Sequence, residues 1–378
     1  MGRVKVGHVL NSIGGVDVSL RLILENTNTE KFDHFVIHGQ EDTSKPFLDN
    51  DSNQIREYKL PILRDISIVN DIRSIFKTIK VFKKEKPDII HAHSAKGGLI
   101  ARIATIGHSV QVLHTPQAYS YLSTSNRFKK RFFLFIERIL KRINSTLVAS
   151  SLSEFERGIK EVGYAKSNAE LFSNSISPIP KNEEEIKYPI SWPSDYICTV
   201  GRPSYQKNIE MMVEVIREIK KEIPSIHLVL MGVGEYYPNL ESVKERIETY
   251  DLSTNITLVK WIAREEIFKI ISASKLYIST ARYEGLPYSI IESLALAKSC
   301  VVTDCDGNRD LVIDEYNGYV IKNENVRDMS EKVLKLYKNQ SLRRTMEVNS
   351  LKLFNENFDL NNNIGIIEGI YQKYTDNS

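Results

Sequence analysis

The chain has 378 residues, 51 lysines and arginines against 48 aspartates and glutamates, and 42% hydrophobic residues. That length predicts two or three domains, each with its own core, and the composition excludes disorder as the main state. Three cysteines, Cys198, Cys300 and Cys305, are too few for a disulfide framework and lack metal-ligand spacing, so a reduced, cytoplasmic setting is expected.

The first ten residues carry Arg3 and Lys5 and are too short and too charged for a signal peptide. No run of about 18 apolar residues predicts a membrane-spanning helix. Charge is uneven along the chain. Residues 1–180 hold 26 basic and 18 acidic side chains, a net +8, whereas residues 181–378 hold 25 and 30, a net −5. The first half therefore favours an anionic partner.

In chain order, strands are expected at 4–10, 34–38, 89–93, 111–114 and 146–149, with helical periodicity at 16–26, 68–84 and 98–106. Residues 173–193 hold four prolines and an acidic run and read as a linker. Beyond them the alternation resumes. Strands are expected at 196–200, 227–231, 256–259, 276–279 and 300–303, and helices at 207–222, 237–250, 264–273, 289–297 and 327–339. Such alternation predicts α/β architecture, with two doubly wound, Rossmann-like domains facing across a cleft at 1–180 and 181–358. Ligands of such sheets bind beyond the carboxyl ends of the strands, so the residues after each strand are the candidates for chemistry.

Gly14 and Gly15 follow the first strand and open a helix, where a backbone without side chains can approach a phosphate. His91 and His93 end the third strand; a third metal ligand is not evident, and a core histidine is the simpler reading. Ser94, Lys96, Gly97 and Gly98 form an anion-accepting loop in prospect. His114 ends the next strand, placed either to meet a sugar or to pack. From Arg127 to Arg142 seven cations and one glutamate, net +6, are interleaved with Phe, Ile and Leu at helical spacing. A basic amphipathic helix of this kind suits a membrane surface or a packed surface stripe. No nucleic-acid-binding module is recognisable.

In the second half, Arg202 and Lys207 flank the entry to a helix after a strand, as cations holding a diphosphate would, or as two solvated surface charges. The strongest signal is Glu284-Gly285-Leu286-Pro287-Tyr288-Ser289-Ile290-Ile291-Glu292, which follows a strand and opens a helix. The free N–H groups around Ser289 favour a phosphate. Ser289-x-x-Glu292 also fits a capping box, so Glu292 has a purely structural reading beside the ligand-binding one. Glu284 has no structural task evident from the sequence. Asp304-Cys305-Asp306 is a bare D-x-D triplet with nothing nearby to complete a hard-cation site, and no metal is expected.

Taken together, the paired glutamates around Gly-Leu-Pro, the Gly201-Arg202…Lys207 stretch and Gly14-Gly15 resemble the family 4 retaining glycosyltransferases of GT-B fold. His-Ala-His-Ser-x-Lys-Gly-Gly and His-Thr-Pro are similar to members that build bacterial surface polysaccharides. The resemblance implies that Arg202 and Lys207 bind the donor diphosphate. It places Glu284 and the backbone of Gly285, Leu286, Pro287, Tyr288 and Ser289 on sugar and phosphate, Glu292 on the ribose, and Ile262 near the base. Gly14 and Gly15 would approach the diphosphate, His114 the reacting sugar, and Ser94 and Lys96 the acceptor. A last helix near 361–373, in the segment 359–378, would return to the first domain. Asp306-Gly307-Asn308-Arg309-Asp310 departs from the Gly-Gly-x-x-Glu of many members.

The implied activity is metal-independent, cofactor-free transfer of a hexose or N-acetylhexosamine from a nucleotide sugar, preferably a UDP-sugar. The acceptor would be a saccharide or a polyprenyl-diphosphate-linked one, met by an enzyme peripheral to the inner face of the cytoplasmic membrane. The competing readings are a nucleotide-sugar epimerase and a non-catalytic sugar-nucleotide-binding protein.

Overall fold

The aliphatic runs become the central strands of two parallel sheets. The computed structural model describes every residue except 1, 13, 41, 64, 181–185, 187–190, 235–238 and 376–378. The chain divides into two compact units, Met1–Asn174 with Leu360–Ser378, and Ser175–Asp359. Much of the expected linker (the acidic run and Pro189), Ile13 beside the glycine pair and Tyr237 at the start of one expected helix lie outside the described residues.

The first unit runs β1 (Val4–Val9), α1 (Gly15–Leu24), β2 (Phe32–Gly39), β3 (Arg56–Leu60), α2 (Ile68–Glu85), β4 (Ile89–His93), α3 (Ser94–Ala104), β5 (Gln111–Thr115), α4 (Arg127–Leu140), β6 (Ser145–Ala149), α5 (Leu152–Arg157) and β7 (Ala169–Leu171). Its seven strands pair in parallel in the order β3-β2-β1-β4-β5-β6-β7. The second unit runs β8 (Ile197–Val200), α6 (Ile209–Lys220), β9 (Leu228–Met231), α7 (Leu240–Thr249), β10 (Ile256–Val259), α8 (Arg264–Ala273), β11 (Tyr277–Ser279), α9 (Tyr288–Ala295), β12 (Cys300–Thr303), α10 (Asp306–Leu311), β13 (Gly318–Ile321), α11 (Val326–Lys338) and α12 (Gln340–Asn357). Its sheet order is β10-β9-β8-β11-β12-β13, also parallel. The last helix, α13 (Leu360–Thr375), belongs to the first unit, where Leu360, Ile367 and Tyr371 pack against Val6, Ile89 and Leu113.

Side chains alternate across the first sheet as the pleat requires. Val9, Ile90, Ala92 and Val112 meet Ile75, Phe82 and Ile100 from α2 and α3, while Val6, Ile89 and Leu113 meet α13. A fully buried ion pair joins α3 to α4: both terminal nitrogens of Arg102 lie 3.1 Å from Glu137 Oε2, and Arg102 Nε donates to Gly98 O at 2.8 Å. The fork is thus hydrogen-bonded on both sides, which is what makes a buried guanidinium tolerable.

Beneath α13 lies a chain of buried histidines. His8 shares hydrogen bonds with His93 (3.1 Å) and His34 (3.0 Å), and His34 with Thr27 (3.0 Å). His91 bonds Tyr371 Oη and Thr115 Oγ1, each at 2.8 Å. Ring nitrogens of His8, His91 and His93 lie within 4.8 Å of one another, so the fold adds His8, from β1, to the pair seen in the sequence. Burial lowers every one of these imidazoles, His34 to about 4 and His93 to about 3 from 6.5.

A neutral imidazole in the fold that would be protonated in the unfolded chain contributes stability fully present above pH 6.5. It is lost as pH falls towards the folded values, by about 1.4 kcal/mol per pH unit per histidine. Hydrogen-exchange protection of β1 and β4 amides is expected to be flat above pH 7 and to decline between pH 6 and 4. In His34→Gln the slope should lessen by one histidine's share; an unchanged slope would show that these rings do not set the acid sensitivity.

Candidate active site

In a doubly wound sheet the crevice opens where strand order reverses, between strands whose connections leave in opposite directions. In the second unit that point lies between β8 and β11. The loops leaving these two strands carry Lys207 and Glu284. Lys207 Nζ is 2.7 Å from Glu284 Oε1, an ion pair by distance whose angle departs from hydrogen-bond geometry. Gln206 Nε2 donates to Glu284 Oε2 at 3.2 Å and to the Tyr283 carbonyl at 3.3 Å. The Arg282 amide answers by donating to Gln206 O at 2.8 Å, and Thr280 Oγ1 donates to the carbonyls of Lys207 and Asn208. The two loops are therefore knitted together by backbone as well as charge.

Burial pulls the Lys207 ammonium down, but the Glu284 carboxylate and the Tyr277 ring oxygen outweigh it, and its affinity for a proton ends above the ordinary value. Lys207 stays charged across the neutral range. Arg202, half-buried, lies in the same loop after β8.

Helix α9 begins at Tyr288 with Pro287 as its cap, and its cap makes no side-chain hydrogen bond. The capping box expected from Ser289-x-x-Glu292 is not formed, because Ser289 already lies inside the helix. Glu292 instead accepts from Arg264 of α8, at 2.9 Å from Nε and 2.6 Å from the terminal nitrogen, both on Oε1. Burial raises the Glu292 carboxyl and Arg264 opposes it. Ile262, half-buried, lies in the loop after β10 that leads to Arg264.

The Asp306–Asp310 stretch, which departs from the Gly-Gly-x-x-Glu of many family members, lies wholly in the short helix α10. Asp304 and Asp306 both pair with Arg309, at 2.7 and 3.0 Å. Gly307 brings α10 against the Glu284 loop: a Cβ there would lie 2.4 Å from Gly285 O and 2.8 Å from Pro287 Cδ. Only glycine allows that approach.

In the first unit the reversal lies between β1 and β4. Gly14 caps α1 with φ +63° and ψ −131°, a backbone conformation that favours glycine, and Gly15 is the first helical residue. Asp42, which the sequence did not single out, holds this region. It accepts from Asn11 Nδ2 (2.6 Å), the Ser12 amide (2.5 Å) and the Gly39 amide (2.8 Å). Ser94 to Gly98 are not a loop but the first turn of α3, and Lys96 is engaged by Asp71 at 2.7 Å and the Asp65 carbonyl at 3.0 Å. His114 is wholly buried under that turn, its Nε2 3.3 Å from Ser94 O in the space left by Gly98. It presents no surface to a sugar; here it packs.

Two family models match the chain: "Glycosyl transferase 4-like domain" over residues 14–174 and "Glycosyl transferases group 1" over residues 180–353. The chain belongs to the family 4 glycosyltransferases. Among its relatives is the UDP-Gal:alpha-D-GlcNAc-diphosphoundecaprenol alpha-1,3-galactosyltransferase of Escherichia coli, 28% identical over 88% of this chain and 90% of that protein. The capsular polysaccharide biosynthesis glycosyltransferase CapM of Staphylococcus aureus is 23% identical over 82% and 84%. The fold matches that of sucrose-phosphate synthase from Thermosynechococcus elongatus, with a TM-score of 0.82 at 17% identity over the whole of both chains. These matches show a glycosyltransferase of GT-B fold and set aside the epimerase reading.

In this glycosyltransferase Gln206, Arg264 and Thr280 organise the candidate site, and sequence reading missed all three. Only Arg264 left a signal, as a cation two residues after Ile262. The Gly307 contact yields a direct test. Gly307→Val is expected to lower kcat/KM by roughly tenfold or more through displacement of the Glu284 loop, with circular dichroism unchanged. Wild-type kinetics would show that the loop's placement does not depend on α10.

Proposed function

We propose that this glycosyltransferase moves a hexose or N-acetylhexosamine from a UDP-sugar, with retention and without a metal ion, to a saccharide or a polyprenyl-diphosphate-linked saccharide in surface polysaccharide synthesis. The observation that carries the reading is the Lys207–Glu284 pair at the reversal point of the second sheet. A departing nucleoside diphosphate develops negative charge, and a fixed ammonium stabilises it with no reorganisation at the moment of reaction. Lys207 and Arg202 take the diphosphate in this scheme, with the backbone amides at the start of α9 behind them. Glu284 orients the hydroxyls of the transferred sugar, and Gln206 fixes the carboxylate plane. Glu292 receives the ribose hydroxyls on Oε2, the oxygen Arg264 does not use, and Ile262 lies against the base.

No further carboxylate nucleophile is assigned to a double displacement. The acceptor hydroxyl attacks the face that the diphosphate leaves: the bond from the anomeric carbon to the phosphate oxygen breaks, the bond to the acceptor oxygen forms, and the proton passes to the departing phosphate. The E. coli relative, named for a UDP-galactose donor and a diphosphoundecaprenol-linked acceptor, supports a UDP-sugar and a lipid-linked acceptor. Among the described residues no helix is long and apolar enough to cross a membrane, so reaching such an acceptor calls for a surface contact. Helix α4 suits it: Phe128, Phe132, Phe135 and Ile139 form one exposed stripe, flanked by Arg131 and Arg138 on one side and Lys129 on the other.

Lys207→Ala is expected to lower kcat by about 10²–10³-fold, the scale for removing one preorganised charge-stabilising donor. The product anomer should retain the donor's configuration by NMR, and prior chelation with EDTA should leave the rate unchanged. Loss in EDTA restored by magnesium would contradict the metal-free mechanism, and a wild-type rate in Lys207→Ala would contradict the site.

A further inference from the structure

Helix α4 is not the only exposed apolar element of the first unit. At the start of α2, Ile68, Val69, Ile72 and Phe76 are all exposed, Ile68 by 73% and Phe76 by 64%, and Ile66 just before the helix by 73%. This is no failure of the helix to find its core. Its other face is fully used, with Ser74, Thr78, Val81 and Phe82 buried against the sheet and α3. At 100° per residue, the exposed apolar side chains occupy one flank of the outward arc. Arg73, Lys77, Lys80 and Lys84 occupy the other, all exposed.

The outward face carries no compensating acid. Asp71 and Glu85, the helix's two carboxylates, are buried, Asp71 paired with Lys96 and Glu85 hydrogen-bonded to Tyr58 and paired with Lys5. Helix α3 packs against both α2 and α4, so the three lie side by side over the same sheet. Lys96, in the first turn of α3, ties down the first turn of α2 through Asp71, which fixes the apolar end of α2 relative to its neighbour.

We infer that α2 is a second membrane-binding element, and that an anionic phospholipid bilayer covers the exposed faces of α2 and α4 together. Charge decides the occupant. Each exposed face pairs large apolar side chains with cations alone, which matches acyl chains below and phosphates above. A second copy of this chain would meet the same face in an isologous contact and bring like charges together. Two anchored helices also constrain orientation, which one helix does not: they hold the unit in one tilt against the surface.

This inference rests on the bilayer reading of α4, and the test separates the two. The full chain is sedimented with vesicles of pure phosphatidylcholine and with vesicles of phosphatidylcholine and phosphatidylglycerol at three to one. The variants are Ile68→Ser/Ile72→Ser/Phe76→Ser in α2 and Phe128→Ser/Phe132→Ser in α4, with circular dichroism checking the fold. Because apolar changes can disturb α2 itself, Lys77→Glu/Lys80→Glu, wholly on its exposed flank, provides a second probe of the same helix.

The wild type is expected to bind the anionic vesicles only, and each variant, the charge variant included, to bind them roughly tenfold less. If both α2 variants bind as the wild type does while the α4 variant is lost, the α2 inference fails and the α4 reading stands. If no variant loses binding, or the wild type binds neither vesicle, both fail.

Discussion

The chemistry proposed for this chain depends on a cation and a carboxylate that can meet only because two strands distant in sequence are neighbours in a sheet. Lys207 follows β8 and Glu284 follows β11, and the reversal of strand order between them leaves the space beyond their carboxyl ends uncovered by any crossover. A charge pair that had to be carried by flexible surface loops would contribute little, since ordering two long side chains costs about what the exposed contact returns. Here the loops are already fixed, by Arg282 N to Gln206 O, by Thr280 to the Lys207 and Asn208 carbonyls, and by the close approach of Gly307 to Gly285. The ammonium is consequently held, charged and half-shielded from water, where a departing phosphate would need it.

The first unit solves a different problem. Its sheet buries a hydrogen-bonded run of histidines on one side and is covered on the other by α2, α3 and α4, two of which turn apolar side chains outward. The overall charge of +3 conceals this arrangement. The cations gather in the first half, on exposed helix faces whose acids are paired inward, as Asp71 is with Lys96 and Glu137 with Arg102.

Much of this was legible in the sequence, for physical reasons. Central strands buried on both faces are rich in aliphatic residues, and β4 and β12 begin and end where the sequence places them, as does the aliphatic edge strand β10. The edge strands β3, Arg56–Leu60, and β7, Ala169–Leu171, are short and partly polar, and β13 opens on a glycine; none stands out from a loop. Helix α12 was invisible because its apolar residues do not gather on one face. The site was legible in its charged residues, because Lys207 and Glu284 follow strands, but not in their relation. The capping box at Ser289 was a true sequence pattern overridden by tertiary structure: Arg264, from a neighbouring helix, offers Glu292 a charged partner that a backbone amide cannot match. His114 and Lys96 illustrate the opposite case, since polar residues at strand and helix ends can as well serve packing, and here His114 lies against Gly98 and Lys96 pairs with Asp71.

The most direct test is a crystal structure of the protein with UDP bound. The account predicts a phosphate oxygen within about 3 Å of Lys207 Nζ, at hydrogen-bond distance for a charge-assisted contact, with the ribose against Glu292. UDP bound with its diphosphate away from both Lys207 and Glu292 would contradict it.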